Sequence, residues 1–275
     1  MCFELSLCSA RAAMDLGRGT LPKKRRKKVK KSIVWRLILL GRKNIWLTLL
    51  FLIFAGNFSY QVALKPTEIL SLVASNAIYT PSTTWSKYGD EFVENRTQYI
   101  SPYLLASFAQ VESGGNPWVS PGWVFNWRRP IHRIYAPASS SVGLMQFTEG
   151  TYQRARKLCV HKGQVFEDGP WYDFKSCWGN FLYHRVWPGH AIEMTSAYLH
   201  RSVESLVRRF PQYNFSSENV RKVAAVTHLC GIGVAKRVIR QRFKITSDQT
   251  CGSHNLSRYV DKISRLSKTF RRLHK

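Results

Sequence analysis

Apolar side chains recur at helical spacing through most of the C-terminal two hundred residues, and no segment shows the sustained alternation typical of strands. The spacing predicts helices over residues 67–79, 102–114, 190–210 and 217–231, with further helices beginning near Thr148 and Asn255. Capping residues support several of these boundaries, as at Ser101 before Pro102 and at Gly231. We therefore expect an all-α globular domain.

An uncharged segment over residues 44–64 precedes this domain. About 20 residues at 1.5 Å each span a hydrocarbon core of about 30 Å, so the segment predicts a single transmembrane helix. The polar residues from Asn57 to Gln61 fit the prediction less well. A cleaved signal peptide is the alternative, which a long basic region and the lack of a clear small-x-small site disfavour.

Charge distribution orients the predicted span. The chain has 275 residues and a formal net charge of +26, and residues 1–43 hold 13 Lys and Arg against two acids. Basic residues are retained in the cytoplasm, so residues 1–43 are predicted to be cytoplasmic and residues 65–275 exported. The run of six cations at residues 23–28 also resembles a nucleic-acid patch, but beside a span it favours a topology signal and lipid contact.

Cysteine usage agrees with export. Four cysteines lie in residues 65–275, namely Cys159, Cys177, Cys230 and Cys251. An even number in an oxidising compartment indicates two disulfides. Three pairings exist and the sequence does not choose between them, although the local pairs Cys159/Cys177 and Cys230/Cys251 are the simplest. A zinc site is the alternative, but no C-x-x-C pattern supports it.

Two long loops, residues 116–141 and 160–188, interrupt the predicted helices. Loops of this length are usually functional or tied by disulfides. Each holds three tryptophans, which either stack on sugar faces or form small cores beneath the loops. The six are Trp118, Trp123, Trp127, Trp171, Trp178 and Trp187.

Glu112 is the strongest candidate for chemistry. It lies in the last turn of an apolar helix, immediately before Ser113 and a glycine pair. The helix dipole and apolar neighbours both disfavour a negative charge there, so we expect a raised pKa for this carboxyl. A protonated Glu in a groove can donate a proton to a departing sugar oxygen. A solvent-exposed glutamate at a helix end is the alternative.

The residues around Glu112 resemble the SLT-domain lytic transglycosylases, the goose-lysozyme-like branch of the lysozyme superfamily. The resemblance covers residues 70–273 and four motifs in order. The first is Glu112-Ser113 after the helix from Ser101, and the second is Gly143-Leu144-Met145-Gln146 with Gly150-Thr151 after it. The third is the stretch from Thr227 to Gly233, and the fourth is the aromatic Tyr259 at the head of the last helix.

The resemblance implies a lysozyme-like domain with Glu112 as the single catalytic acid/base. It also implies substrate-binding roles for a second group of residues, which comprises Ser113, Met145, Gln146, His228 and Tyr259. His228 and Leu229 depart from the family, which has Tyr and Asn at these positions. The resemblance implies no cofactor and no metal, and the loop over residues 116–141 is then an insertion.

The implied activity is non-hydrolytic cleavage of the MurNAc-β-1,4-GlcNAc bond of peptidoglycan, which leaves 1,6-anhydroMurNAc ends. The implied location is the bacterial inner membrane, single-pass, with the catalytic domain periplasmic. The partners would be glycan strands and the membrane, with no nucleic acid. The role would be either general wall remodelling or local opening of the wall for a secretion or conjugation apparatus, which would then be a third partner. The alternatives are a lysozyme-type hydrolase and a weakly catalytic peptidoglycan-binding anchor module. A hydrolase normally needs a second carboxyl, and Glu149 is expected to start a helix instead.

Overall fold

A computed structural model describes residues 44–64, 77–119, 122–137, 141–170, 172, 177–182 and 184–274. Most of the described residues are helical. The helices are α1 (Ile45–Leu64), α2 (Pro81–Glu94), α3 (Pro102–Ser113), α4 (Glu149–Ala155), α5 (Pro188–Arg209), α6 (Ser217–Cys230), α7 (Ile232–Arg240) and α8 (Leu256–Leu273). The chain divides into two compact units, Met1–Phe51 and Leu52–Lys275, with the boundary inside α1.

Three small antiparallel sheets, each of two strands, accompany the helices in the described part of the chain. The strands are β1 (Trp123–Phe125), β2 (Tyr135–Pro137), β3 (Leu158–His161), β4 (Gln164–Glu167), β5 (Thr250–Cys251) and β6 (His254–Asn255). The expectation of an all-helical domain is therefore correct only at the coarser level. Strands of two to four residues are too short to show alternation. The β1–β2 hairpin lies within the loop 116–141, and the β3–β4 hairpin begins two residues before the loop 160–188.

Capping side chains account for where the predicted helices begin. The Ser101 hydroxyl accepts the amide N–H of Leu104, Ser216 accepts that of Asn219, and Asn255 accepts that of Arg258. The helices predicted to begin at Pro102 and near Thr148, Ser216 and Asn255 are confirmed. The helix predicted over residues 67–79 falls largely outside the described residues, and residues 77–79 are not helical. The helices α2 and α7 were not predicted.

The helix α3 lies at the centre of the second unit. It packs most extensively against α8 and also against α2 and α5. Its buried residues join one large apolar core with residues of α5, α6, α7 and α8. Because α3 is held on several sides, the residues at its C-terminal end are fixed relative to the rest of the unit.

The helix α1 is long and apolar enough to cross a membrane, by length and composition, and within the described residues no other helix meets this test. Most of its large apolar side chains are exposed. The basic segment 1–43, for which a cytoplasmic location was predicted, lies outside the described residues.

Candidate active site

Glu112 lies in the last turn of α3, where the backbone turns sharply. Gly114 and Gly115 both adopt positive φ angles, 62° and 75°, a conformation that favours glycine. A Cβ atom added at Gly115 would collide with the Thr84 side chain of α2. The glycine pair therefore allows α3 to end against α2 with Glu112 on its final turn.

An open cavity of about 500 Å³ lies beside Glu112. Its lining comes from α3, the second motif, α5, α6 and the β5–β6 hairpin. The lining residues include Glu112, Gln146, Thr148, Tyr198, His228 and His254. Glu112 is the only acid among the described lining residues, and 18% of its side chain is exposed. The carboxyl is thus shielded from bulk water yet open to a ligand in the cavity.

Two side chains converge on one oxygen of Glu112. The Tyr259 hydroxyl, from the first turn of α8, donates a hydrogen bond of 2.5 Å to Oε1. Nε2 of His228, from the last turn of α6, lies 3.4 Å from the same oxygen. His228 also lies against the ring of Phe108, with centroids 4.7 Å apart, which fixes its plane. The carboxyl is therefore oriented from two helices that are far apart in sequence.

The pKa of Glu112 is lowered, which contradicts the expectation of a raised value. Burial alone would raise this pKa, but the hydrogen bond from His228 and its electrostatic interaction with the carboxyl lower it, with further lowering from Tyr259 and His254. Burial and the neighbouring carboxylate together raise the pKa of Tyr259, so its hydroxyl stays protonated and can donate. The expectation failed because it considered only the local helix end.

The second motif forms a tight turn that faces the cavity through Gln146. Gly143 has a φ of 77°, and a Cβ there would collide with the carbonyl oxygen of Arg185. The Gln146 side chain lines the cavity, and its Nε2 donates to the Gly143 carbonyl at 2.8 Å. The predicted position of Gln146 at the site therefore agrees with the geometry.

Ser113 and Met145 do not reach the cavity surface. Ser113 is 3% exposed, and its hydroxyl donates to the carbonyl oxygen of Leu144 at 2.8 Å. Met145 is completely buried in the apolar core. The expectation that both contact substrate is thus corrected. Both side chains instead lie beneath the cavity surface, where they connect the end of α3 to the second motif.

Arg185, which the sequence did not single out, anchors the second motif from the other long loop. Its guanidinium donates to the carbonyl oxygen of Phe147 at 3.1 Å and forms an ion pair with Glu149 at 2.8 Å. Arg185 is 7% exposed. Glu149 is the first residue of α4, as predicted, and is largely exposed outside the cavity lining. It therefore helps Arg185 to hold the turn.

The third motif contributes His228, Leu229 and Cys230 to the cavity wall. Cys230 forms a disulfide with Cys251, which ties the end of α6 to the hairpin that carries His254. The second disulfide joins Cys159 and Cys177. Both are the local pairs that the spacing favoured. His254 is a further site residue that the sequence did not indicate, because it follows no motif.

A metal site finds no support among the described residues, where no group of three or more His, Cys, Asp or Glu side chains comes together. His184 and His190 instead form a local contact, in which the backbone N–H of His184 donates to Nδ1 of His190 at 3.2 Å. Of the six loop tryptophans, Trp123 and Trp127 lie in or beside the β1–β2 hairpin and Trp187 is the N-cap of α5.

Fold and site together define a predominantly helical protein with one apolar helix and a cavity whose single described carboxyl contacts a tyrosine and a histidine. No protein-family model matches the chain, and no curated protein is significantly similar to it.

Proposed function

We propose that the protein is a lytic transglycosylase with a lysozyme-like domain that acts on peptidoglycan glycan strands. The observation that carries the proposal is the contact of Tyr259 with Glu112 at the edge of an open cavity. It joins the first and fourth of the four motifs, and Gln146 and His228 join the second and third to the same cavity.

The proposed chemistry begins with proton transfer to the glycosidic oxygen. Although burial raises the pKa of Glu112, the hydrogen bonds from His228 and Tyr259 lower it, so the carboxyl is ionised in the free enzyme. A glycan strand that fills the cavity excludes water, which favours the neutral, protonated carboxyl over the carboxylate. Glu112 takes up a proton from solvent as the strand binds, and donates it to the oxygen between N-acetylmuramic acid and N-acetylglucosamine.

The second step closes the anhydro ring. The acetamido group of the substrate stabilises the cation that develops when the bond breaks. The Glu112 carboxylate then removes the proton of the C6 hydroxyl, and the C6 oxygen attacks C1 to form the 1,6-anhydro product. No water is consumed, and the carboxyl regains its proton for the next cycle.

The lysozyme-type alternative requires a second carboxyl to position water or attack carbon. Glu112 has no such partner among the described residues that line the cavity. This supports cleavage without water. The two reactions give different products, because hydrolysis leaves ends that are heavier by one water molecule than anhydro ends.

The test is mass spectrometry of fragments released from purified cell-wall sacculi by the detergent-solubilised full chain. We expect anhydro ends from the native protein and none from Glu112→Gln. Glu94→Gln is the matched control, because Glu94 is an exposed glutamate at the end of α2 and remote from the cavity. Hydrolysed ends would favour a lysozyme, and full activity of Glu112→Gln would overturn the role of Glu112.

We further propose a single-pass anchor in the bacterial inner membrane, with residues 1–43 cytoplasmic and the catalytic domain periplasmic. The support is the apolar helix α1, the basic segment before it and the two disulfides after it. A reporter active only in the periplasm, fused after Lys275, tests the orientation. Loss of transport in a deletion strain would support service to a secretion or conjugation apparatus, and unaltered transport would favour general wall remodelling.

A further inference from the structure

The hairpin formed by β1, β2 and the turn between them exposes an unusual amount of apolar surface. The segment Trp123–Pro137 is here called the aromatic hairpin. Three of its large apolar side chains are well over half exposed, Phe125 at 59%, Trp127 at 74% and Ile131 at 66%. Contiguous exposed apolar surface of this kind marks an interaction site on a soluble domain.

The aromatic hairpin packs against the second half of α1. Nδ2 of Asn57 donates to the carbonyl oxygen of Tyr135 at 2.7 Å. The ring of Phe58 stacks on Trp123 at 5.2 Å, and Trp123 stacks on Tyr135 at 4.9 Å. The hairpin and the residues of α1 from Leu52 onward belong to the same compact unit.

This packing accounts for the polar residues in an otherwise apolar helix. Asn57 and Gln61 are 8% and 6% exposed, whereas Leu52, Ile53 and Phe54 of the same helix remain exposed. Polar side chains within a membrane helix normally face protein, because hydrocarbon offers them no hydrogen bonds. The burial of Asn57 and Gln61 beside exposed apolar side chains fits a helix that faces protein on one side and lipid on the other.

Charge around the hairpin fits an anionic surface. The turn carries Arg128, Arg129 and Arg133, all exposed, and no Asp or Glu occurs between Ser113 and Glu149. The Arg128 guanidinium lies 5.6 Å from the centre of the Trp127 ring. Tryptophan concentrates at the membrane–water interface, and arginine there pairs with lipid phosphates. A glycan strand would offer stacking partners for the rings but no phosphate for the arginines.

We propose that the aromatic hairpin lies in the lipid–water interface beside α1, with Trp127, Phe125 and Ile131 at the acyl-chain boundary and the arginines on anionic headgroups. The inference rests on the proposed insertion of α1 in the membrane and is independent of the proposed catalysis. It gives the domain a second attachment to the bilayer, so the domain cannot swing freely about the end of α1.

Depth-dependent fluorescence quenching tests the proposal. The full chain is reconstituted into vesicles of phosphatidylethanolamine and phosphatidylglycerol, with and without brominated phosphatidylcholine. Brominated lipid should quench part of the tryptophan emission of the native chain. We expect this quenched emission to be distinctly smaller in the Trp127→Phe variant. Trp187→Phe is the matched control, because Trp187 is also exposed but lies at the start of α5. Its loss should lower the total emission and leave the amount of emission that brominated lipid quenches unchanged.

Internal controls distinguish a failure of the proposed anchor from a failure of the hairpin proposal. Trp46 on α1 should be quenched in every variant, and its protection from brominated lipid would overturn both the anchor and the proposal. Equal amounts of quenched emission in native and Trp127→Phe chains, with Trp46 quenched, would overturn the proposal alone. If the fluorescence of Trp127 changed only when glycan fragments were added, the proposal would also be overturned. The hairpin would then be a substrate-binding element. The quenching should persist in Glu112→Gln, so a failure of the catalytic proposal is seen separately.

Discussion

The Tyr259 hydroxyl donates to Oε1 of Glu112 at 2.5 Å, which joins the first turn of α8 to the last turn of α3. Both side chains are held by the packing of these two helices around the core. The hydrogen bond stabilises the ionised carboxyl, the form that appears in the proposed reaction when the proton leaves for the glycosidic oxygen.

Tyr259→Phe removes this contact while keeping the ring. A hydrogen bond to a charged group contributes about 1.5–3 kcal/mol, so we expect kcat/KM to fall roughly 10- to 100-fold. The measurement is the release of anhydro fragments from sacculi. Tyr213→Phe is the control, since that ring packs in the core between Phe210 and Phe243 and should leave the rate unchanged. Equal rates for the native and Tyr259→Phe proteins would show that the contact does not assist cleavage.

His228→Tyr should shift the pH dependence of cleavage. The hydrogen bond and electrostatic interaction with His228 lower the pKa of Glu112, so their removal raises that pKa and keeps the acid protonated to higher pH. We therefore expect the alkaline limb of the kcat/KM profile to move to higher pH. The pH profile of initial rates on purified glycan strands measures this shift.

His254→Gln provides the matched comparison for that shift. His254 also lowers the pKa of Glu112, but it is the smallest of the named causes. The alkaline limb of the kcat/KM profile should move in the same direction as in His228→Tyr, but by a smaller amount. A limb that stays in place for His228→Tyr, or moves to lower pH, would contradict the assigned effect of His228.

Local signals in the sequence predicted much of the helical framework and the position of Glu112. Ser101, Ser216 and Asn255 cap their helices through contacts with amides three residues on, and such contacts are visible in the sequence. Helix α2 was missed although Thr80 and Pro81 mark its start, because only two of its residues, Thr84 and Phe92, are buried and no apolar stripe results.

The electrostatics of the site could not be predicted in the same way. The pKa of Glu112 depends on His228 and Tyr259, which reach the carboxyl only through the contact of His228 with Phe108 and the packing of α8 on α3. Arg185 lies in a loop with no regular pattern, and its partners Phe147 and Glu149 belong to another segment. Tertiary contacts of this kind join residues that are far apart in the sequence, so the spacing of residues within one segment does not predict them.

Arg185→Met should loosen the turn that presents Gln146. The buried guanidinium satisfies the Phe147 carbonyl and pairs with Glu149, so its loss should lower the free energy of unfolding by about 1–3 kcal/mol. KM should rise more than kcat falls, because Gln146 is the proposed binding residue of this turn and Glu112 is held by other helices. Chemical denaturation and steady-state kinetics measure the two effects.

Glu149→Gln is the control for the arginine. Glu149 is largely exposed, so the loss of its charge should cost less than about 1 kcal/mol and leave the Phe147 contact intact. If Glu149→Gln destabilised the protein as much as Arg185→Met, the ion pair and not the buried hydrogen bond would hold the turn.

The two disulfides should contribute equally to stability and unequally to activity. Their sequence separations are 21 and 18 residues, so each restricts the unfolded chain to a similar extent, about 3 kcal/mol. Cys230 and Cys251 line the cavity and hold the hairpin that carries His254, whereas neither Cys159 nor Cys177 lies in the cavity lining. Paired Cys→Ser variants should therefore show similar falls in Tm, but only the Cys230/Cys251 pair should slow cleavage at a temperature where both remain folded. Equal losses of activity would mean that the cavity wall does not depend on its own disulfide.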